Sequence, residues 1–267
     1  MVTMKKALVT GSSSGIGAAF AAHLARQGSD LVLVARRQDR LETLAERLRG
    51  ETGVSVEVLK ADLADPTDLH RIEERIEQGD DIDLLVNNAG IGDIAHFVDQ
   101  ERDTHERMIA VNVLALTRLS HAAIPGMVER GGGTIINVAS GFAFDYMPGA
   151  SVYAATKSYV AQLTHVLDAE LREKGMRFQA LVPGLTRTEL GGDAEFFDMF
   201  PPEHVMSPEV LVEVSLASLE LGERVCIPRL ADIGEWERAH AAIRAVGKSP
   251  PHNQVAPRYG LDQQSAG

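Results

Sequence analysis

Seven short apolar runs punctuate the chain: Ala7–Thr10, Leu31–Ala35, Val54–Leu59, Ile82–Val86, Thr134–Val138, Phe178–Val182 and Val225–Ile227. Most are continuous rather than alternating, the pattern of a strand covered on both faces. Val54, Val56 and Val58 do alternate, and Leu59 breaks that pattern. Between the runs lie amphipathic stretches: Ile16–Gln27, Asp39–Arg49, Pro66–Gln78, Asp103–Arg130, Ser151–Lys174 and Pro208–Leu221. In the second, Leu41, Leu44 and Leu48 share one face with charges opposite. In the fourth, Pro125-Gly126 is expected to kink or end the regular helix. Strand and helix alternate throughout. The pattern therefore predicts one α/β domain, a parallel sheet of about seven strands wrapped on both sides.

Two segments leave this alternation. Gly184–Ser207 is a long connection with an apolar cluster at Phe196, Phe197, Met199 and Phe200, and such loops are often lids or binding segments. Near residue 230 the pattern stops. Asp232–Val246 reads as a last helix carrying Trp236, and Lys248–Gly267, rich in Pro and polar residues, as an extended tail. The expected organisation is a body over 1–230, with a lid at 184–207, and a C-terminal extension over 231–267.

Charge narrows the partners. The 267 residues carry 26 Lys+Arg against 38 Asp+Glu, a formal net charge of −12. That balance argues against nucleic acid, which attracts clustered Lys and Arg. Cys226 is the only cysteine, so no disulfide framework or Cys-rich metal site is expected. No apolar run approaches a membrane span, and Met1–Lys6 lacks an apolar signal core. The expectation is a soluble, cytoplasmic protein without membrane or nucleic-acid partners. His165 and Asp168, one helical turn apart, read as an ordinary surface pair rather than metal ligands, and Asp80, Asp81 and Asp83 as a solvated turn.

The candidate chemistry sits where runs end. The first passes into Thr10-Gly11-Ser12-Ser13-Ser14-Gly15-Ile16-Gly17. A Gly-rich turn from strand to helix brings backbone N–H groups and a helix N-terminus to a phosphate. Taken alone, it also fits a plain βα turn. Asn87-Asn88-Ala89-Gly90 follows the fourth run, where Asn side chains can lock neighbouring loops. Ser140 follows the fifth, and Tyr153 and Lys157 stand four apart on one helix face. A phenol titrates near pH ~10, and a nearby ammonium favours phenolate. Taken alone, Tyr-x₃-Lys also fits a solvated helix pair.

In order and spacing, the Gly loop, Asn-Asn-Ala-Gly, Asn112, Ser140, Tyr153 and Lys157 resemble the short-chain dehydrogenase/reductase family from about Lys5 to Ile227. The resemblance adds Asp62-Leu63 after the third strand and Pro183-Gly184-x₃-Thr188 after the sixth. It implies a doubly wound, Rossmann-type dinucleotide-binding domain. Tyr153 would be the general acid/base and Ser140 would orient the substrate oxygen. Lys157 would lower the Tyr153 pKa and bind the nicotinamide ribose, and Asn112 would help hold a relay water. Gly11, Ser13, Ser14, Gly15, Ile16 and Gly17 would cradle the dinucleotide. Asp62 and Leu63 would meet the adenine, Asn88, Ala89 and Gly90 the adenosine ribose, and Pro183, Gly184, Thr186 and Thr188 the nicotinamide. Tyr146, Tyr159 and Tyr259 lack a Lys four residues on and read as packing or pocket-lining.

The second run ends Ala35-Arg36-Arg37, where an acid would favour an unphosphorylated ribose. Ala35 followed by Arg36 resembles the NADP-using members, so NADP(H) stands ahead of NAD(H). Arg36 and Arg37 also fit solvated turn charges, and the neutral Ser12 to Ser14 depart from relatives with a basic residue in the loop. The expected function is an NADP(H)-dependent oxidoreductase moving hydride between nicotinamide and a carbonyl or secondary alcohol. The alternative is a non-catalytic dinucleotide-binding regulator on the same fold. Phe142, Phe144, Tyr146, Met147 and the Phe196–Phe200 cluster predict an apolar substrate pocket. Surplus apolar residues on the two longest helical stretches predict a homo-oligomer, tetramer ahead of dimer. The tail is either frayed or packed over the lid through Trp236 and Tyr259.

Overall fold

The continuous apolar runs become parallel strands because each is buried from both sides. In the computed structural model, which describes residues 4–79, 81–248 and 257–259, the strands are β1 (Lys6–Thr10), β2 (Asp30–Ala35), β3 (Val56–Lys60), β4 (Leu84–Asn87), β5 (Gly133–Val138), β6 (Met176–Leu181) and β7 (Val225–Cys226). They form one sheet in the order β3-β2-β1-β4-β5-β6-β7, every pair parallel. Alternate residues serve opposite cores. Ala7, Val9, Leu31 and Leu33 join a cluster with α1 (Gly15–Arg26), α2 (Gln38–Thr52) and α8 (Pro208–Glu220). Leu8, Val32 and Val34 join another with α3 (Pro66–Gly79) and α5 (Leu116–Glu129). A strand that feeds two cores has no polar face to alternate with.

The chain reverses direction across the sheet at β1 and β4. β2 and β3 build outward on one side of β1, and β4 to β7 on the other. The crevice beyond the carboxyl ends of β1 and β4 is therefore the topological switch point, the usual ligand site of such sheets.

The fourth amphipathic stretch behaves differently from its expectation. Pro125 lies inside α5 without ending it. Its ring removes the bond to the carbonyl of His121, which is exposed, so water can replace it. The irregularity comes earlier. Between α4 (Arg102–Ile109) and α5, residues Ala110–Ala115 form a π turn with Asn112 buried in its middle. The unbroken helical stretch Arg102–Glu129 is long and apolar enough to cross a membrane by length and composition, although no apolar run in the sequence suggested one, and half of its most apolar window is buried in this fold.

The lid is more ordered than its composition implied. It contains α7 (Ala194–Asp198), capped by the Asp193 carboxylate, which accepts from the Phe196 N–H at 2.9 Å. A parallel bridge joins Thr186 to Met206 across the lid's base. Phe197 is buried, with the Arg187 guanidinium 5.1 Å from its ring centre. Ser207 and Pro208 then start α8, the Ser207 hydroxyl accepting from Val210 N–H.

Two small expectations are corrected. The acidic turn before β4 is a knot rather than a solvated surface: Asp81 takes Lys6 and Arg75, and Asp83 accepts from the backbone N–H groups of Lys5 and Lys6. Asp80 lies outside the described residues. Asp168 is buried and engaged by Arg172 and Arg224, so it is no exposed partner for His165.

The described residues fall into two compact units, one ending at Pro228 and one beginning at Arg229. The second contains α9 (Ile233–Gly247), capped by Asp232, with Trp236 stacked on His240. The Pro-rich tail, 249–256 and 260–267, lies outside the described residues. The longest helix, α6 (Ser151–Leu171), belongs to the first unit.

Candidate active site

The Gly loop is built for close approach. Gly11 has φ +66°, and a Cβ there would lie 2.8 Å from the Asn88 amide nitrogen. At Gly17 a Cβ would meet the Gly11 carbonyl oxygen at 2.5 Å. Only glycine fits either place. The loop is locked from β4: Asn88 Nδ2 donates to the Thr10 carbonyl at 2.9 Å. The N–H groups of Asn88 and Ala89 both donate to the Thr10 hydroxyl. Thr10, which ends β1, is thus a hinge pin that motif spacing alone did not single out. Ser14 caps α1 in extended conformation with no side-chain bond to its first turn. The N–H groups there face the crevice uncapped, which fits a phosphate.

A cavity of about 140 Å³ adjoins the loop. It is lined by Gly11, Ser13, Ser14, Ala35 to Arg37, Asp62, Leu63, Ala89 and Gly90 among others, gathered from the ends of four neighbouring strands. Asp62 is paired with Arg107 at 2.6 Å. Burial pushes its carboxyl up, but the Arg107 hydrogen bond and the charges of Arg107 and Arg36 outweigh this and hold it below the usual range. Arg107 has no signal in the sequence, since it pairs with a residue 45 positions away.

Ser140, Tyr153, Lys157 and Asn112 come together beside this cavity. Ser140 follows β5, where its hydroxyl accepts from Phe142 N–H at 3.3 Å. It acts on the Tyr153 phenol in the direction that lowers its pKa. Tyr153 lies in the first turn of α6, its ring packed edge-on against Phe142 at 5.9 Å. Lys157, one turn on, is buried and donates to the Val138 carbonyl at 2.8 Å. Its Nζ is 5.7 Å from the Tyr153 ring centre.

The electrostatics differ from the expectation that Lys157 lowers the Tyr153 pKa. Burial raises the phenol, and the nearby Ser140 hydroxyl only partly opposes it. Burial also brings Lys157 down to about 8. Burial away from water destabilises the charged form of the ammonium. Tyr153 is thus held as a neutral acid at neutral pH.

The Asn112 side chain is fully committed. Its Oδ1 accepts from Ile91 N–H at 2.9 Å, and its Nδ2 donates to the Ile91 carbonyl at 2.8 Å and to Thr156 Oγ1 at 3.1 Å. It ties the π turn to the loop after β4 and to α6. Here the structure gives Asn112 a bracing position between three elements. Beneath it Asn87, read as a turn residue, donates to Asn137 and Ser120, and Asn137 to Thr164. This buried polar ladder joins β4, β5, α5 and α6.

Pro183, Gly184, Thr186 and Thr188 line the start of the lid. Thr186 donates to the Gly184 carbonyl, and the Thr188 hydroxyl accepts from Gly191 N–H. Thr188 also approaches the Gly loop, 3.1 Å from where a Gly15 Cβ would lie. Arg36 lines the cavity beside the Gly loop but makes no ion pair among the described residues. Its neighbour Arg37 is the one engaged: it donates to Ser13 and Ser14 and pairs with Glu189 of the lid. Of the other tyrosines, Tyr146 is 89% exposed rather than packed, and Tyr159 hydrogen-bonds Thr117.

The chain is similar to known proteins. A family model for short chain dehydrogenases matches residues 5–195. A short-chain dehydrogenase from Sphingobium yanoikuyae, solved in complex with NADPH, is 41% identical and superposes with a TM-score of 0.90 over 96% of this chain and 100% of that one. A bulky-bulky ketone specific alcohol dehydrogenase from Comamonas testosteroni is 36% identical, with a TM-score of 0.88 over 97% and 99% of the two chains. An NADP-dependent 3-hydroxy acid dehydrogenase from Schizosaccharomyces pombe is 34% identical over 84% of this chain and 90% of its own. A glycine betaine reductase from Emericella nidulans is also 34% identical, but the match covers 78% of this chain and 18% of that longer protein. These relatives are oxidoreductases, which sets aside the reading as a non-catalytic regulator. By family match, sheet order and likeness to solved structures, the chain belongs to the short-chain dehydrogenase/reductase family of nicotinamide-dependent enzymes.

Proposed function

We propose that this enzyme is an NADP(H)-dependent carbonyl reductase, or the reverse alcohol dehydrogenase, acting on bulky apolar ketones and secondary alcohols. The observation that carries the chemistry is the placing of the half-buried Tyr153, its ring against Phe142 two residues beyond Ser140, with the buried Lys157 one helical turn behind. A carbonyl oxygen seated between the two hydroxyls would accept from both. Ser140 holds it, and Tyr153 passes its proton from Oη to that oxygen; in the alcohol direction the phenolate takes the proton back. A bound nicotinamide supplies the hydride at the carbonyl carbon. Lys157 adds positive charge below the phenol as it ionises. Asn112 holds the floor of the site rigid through Ile91 and Thr156.

The nucleotide cavity supports NADP(H). It presents Arg36 and Arg37 beyond Ala35, with no acid at the end of β2. Charged hydrogen bonds to a 2′-phosphate are worth roughly 1.5–3 kcal/mol. NADPH should then bind about tenfold or more tightly than NADH, and Arg36→Ala should erase most of the gap without changing NADH affinity. Equal wild-type affinities would remove this preference.

The bulky-substrate reading rests on the three loops that approach Tyr153, through Gly92, Phe142 and Leu190. On these loops Ile94, Phe97, Phe144, Met147, Leu190 and Met199 are large, apolar and exposed. NADPH oxidation followed across a panel of ketones of rising bulk tests it, and a preference for small aliphatic ketones would reject it. We also propose a homo-oligomer, tetramer ahead of dimer, through Ile109, Leu114, Tyr159 and Val166, which remain exposed on α4 to α6. A light-scattering mass near 28.8 kDa would overturn this.

A further inference from the structure

The nucleotide cavity and the lid are joined by charge at one place. Glu189 of the lid binds Arg37 Nη1 through Oε2 at 2.6 Å, and Arg40 through its other oxygen. Arg37 in turn donates from Nη2 to Ser13 Oγ at 3.0 Å and Ser14 Oγ at 2.7 Å, and from Nε to Ser13 Oγ at 3.2 Å. The Gly loop has no cation of its own. Arg37 folds back onto it and brings one, and in doing so it turns toward an acid carried 152 residues away.

Arg40 and Arg37 hold the Glu189 carboxyl down at about 2. It is therefore an anion throughout the pH range in which a protein like this is folded. All its partners are partly solvent-exposed, so an incoming phosphate can reach them. A 2′-phosphate seated between Arg36 and Arg37 needs the same guanidinium and would lie near the same carboxylate. Two anions sharing Arg37 repel each other.

We infer that Glu189 is a specificity-determining residue, an internal anion that occupies Arg37 and Arg40 and weakens the binding of a 2′-phosphorylated dinucleotide without affecting the unphosphorylated one. This rests on the proposed NADP(H) site. Arg37 is then the cation for which the lid and the cofactor compete. Glu189 lowers the enzyme's discrimination between the two cofactors below what its arginines alone would give.

The test is binding rather than turnover. Wild type, Glu189→Gln and, as control, Glu195→Gln are titrated with NADPH and NADH by nicotinamide fluorescence, and with 2′,5′-ADP and 5′-AMP by calorimetry. Glu195 removes the same charge from the same lid but carries no ion pair among the described residues. Glu189→Gln should tighten NADPH and 2′,5′-ADP by roughly three- to tenfold, the size of two exposed ion pairs. NADH and 5′-AMP should stay within about twofold, and Glu195→Gln should change neither. High salt should shrink the gain. If wild type prefers NADPH and Glu189→Gln leaves that affinity unchanged or weaker, the role of Glu189 is wrong while the NADP(H) reading stands. If NADPH and NADH bind equally in wild type, in Glu189→Gln and in Arg37→Ala, both readings fall together. Equality in wild type that gives way to NADPH preference in Glu189→Gln would support the proposal.

Discussion

The two sides of the active-site crevice are built on opposite principles. The nucleotide side is made of backbone. Gly11 and Gly17 leave no space for a side chain, and Asn88, Ala89 and Thr10 are stitched together by short hydrogen bonds. The lid side is made of side chains. Leu190 and Met199 point into solvent, and the lid's base is tied down by the Thr186–Met206 bridge and the Glu189 ion pairs. Backbone packed against backbone gives one geometry and tolerates no change. Exposed apolar side chains on a long loop can be exchanged at little cost to the fold. A common ligand suits the first construction and a particular substrate the second.

Substitutions on each side should therefore fail in different ways. The largest effect is expected between the two sides. Tyr153→Phe removes the proton donor, so kcat should fall by about 10²–10⁴, while NADPH affinity measured by fluorescence stays within about twofold. Retention of most of the wild-type rate would show that Tyr153 is not the acid.

Lys157 separates stability from chemistry. Its folded pKa, about 8, is below the ordinary 10.5, so between these values the unfolded chain binds more protons than the folded one. Folding stability of the cofactor-free enzyme should rise with pH across that window, by about 3 kcal/mol in total for the 2.5-unit difference. Below pH 8 the buried charge is fully costly. Lys157→Met lacks this slope, although it leaves the Val138 carbonyl without its donor. Denaturant titrations at several pH values should show wild type gaining on the variant as pH rises from 8 to 10.5. Parallel profiles would contradict the burial of a charged Lys157.

The rigid side is broken by a single methyl group. Gly17→Ala places a Cβ 2.5 Å from the Gly11 carbonyl, and overpacking of this kind costs about 1–3 kcal/mol. NADPH affinity should drop by roughly tenfold to a hundredfold. The adaptable side should respond least. Leu190→Ala with Met199→Ala should raise KM for a bulky apolar ketone by about fivefold, the loss of partial contact from two side chains, and leave NADPH affinity unchanged. A lid variant that loses cofactor binding instead would erase the distinction between the two sides.

Legibility in the sequence follows the same division. The strands were readable because burial on both faces leaves uninterrupted Val, Leu and Ile, and the observed ends differ from the runs by only one or two residues, as at Leu84–Asn87 against Ile82–Val86. Gly11, Asn88, Tyr153 and Lys157 were readable because each acts through local spacing at a strand or helix end. The Arg37–Glu189 and Asp62–Arg107 pairs were not, since partners 152 and 45 residues apart leave no periodic trace. Nor was the Pro125 helix, because a proline stops a helix only where the lost hydrogen bond cannot be replaced. The Asn87–Asn137 ladder was equally hidden: each Asn ends or interrupts an apolar run, and only pairing across neighbouring strands reveals that the Asn87 amide donates to Asn137 Oδ1.

The π turn at Ala110–Ala115 makes the protein sensitive to length as well as to composition. A π turn holds one residue more than the α-helix around it. Deleting a single residue there, such as Ala110, would let the helix close into regular α geometry, with the flanking helices kept in register and the residues of the turn itself displaced. Asn112 would swing away from Ile91 and Thr156 without any change to its own identity. In gene-library terms, a one-codon deletion in this turn should be as damaging to the active site as replacing Asn112 itself, whereas the same deletion at the exposed Gly50, beyond the last buried residue of α2, would be absorbed at the Gly53 turn.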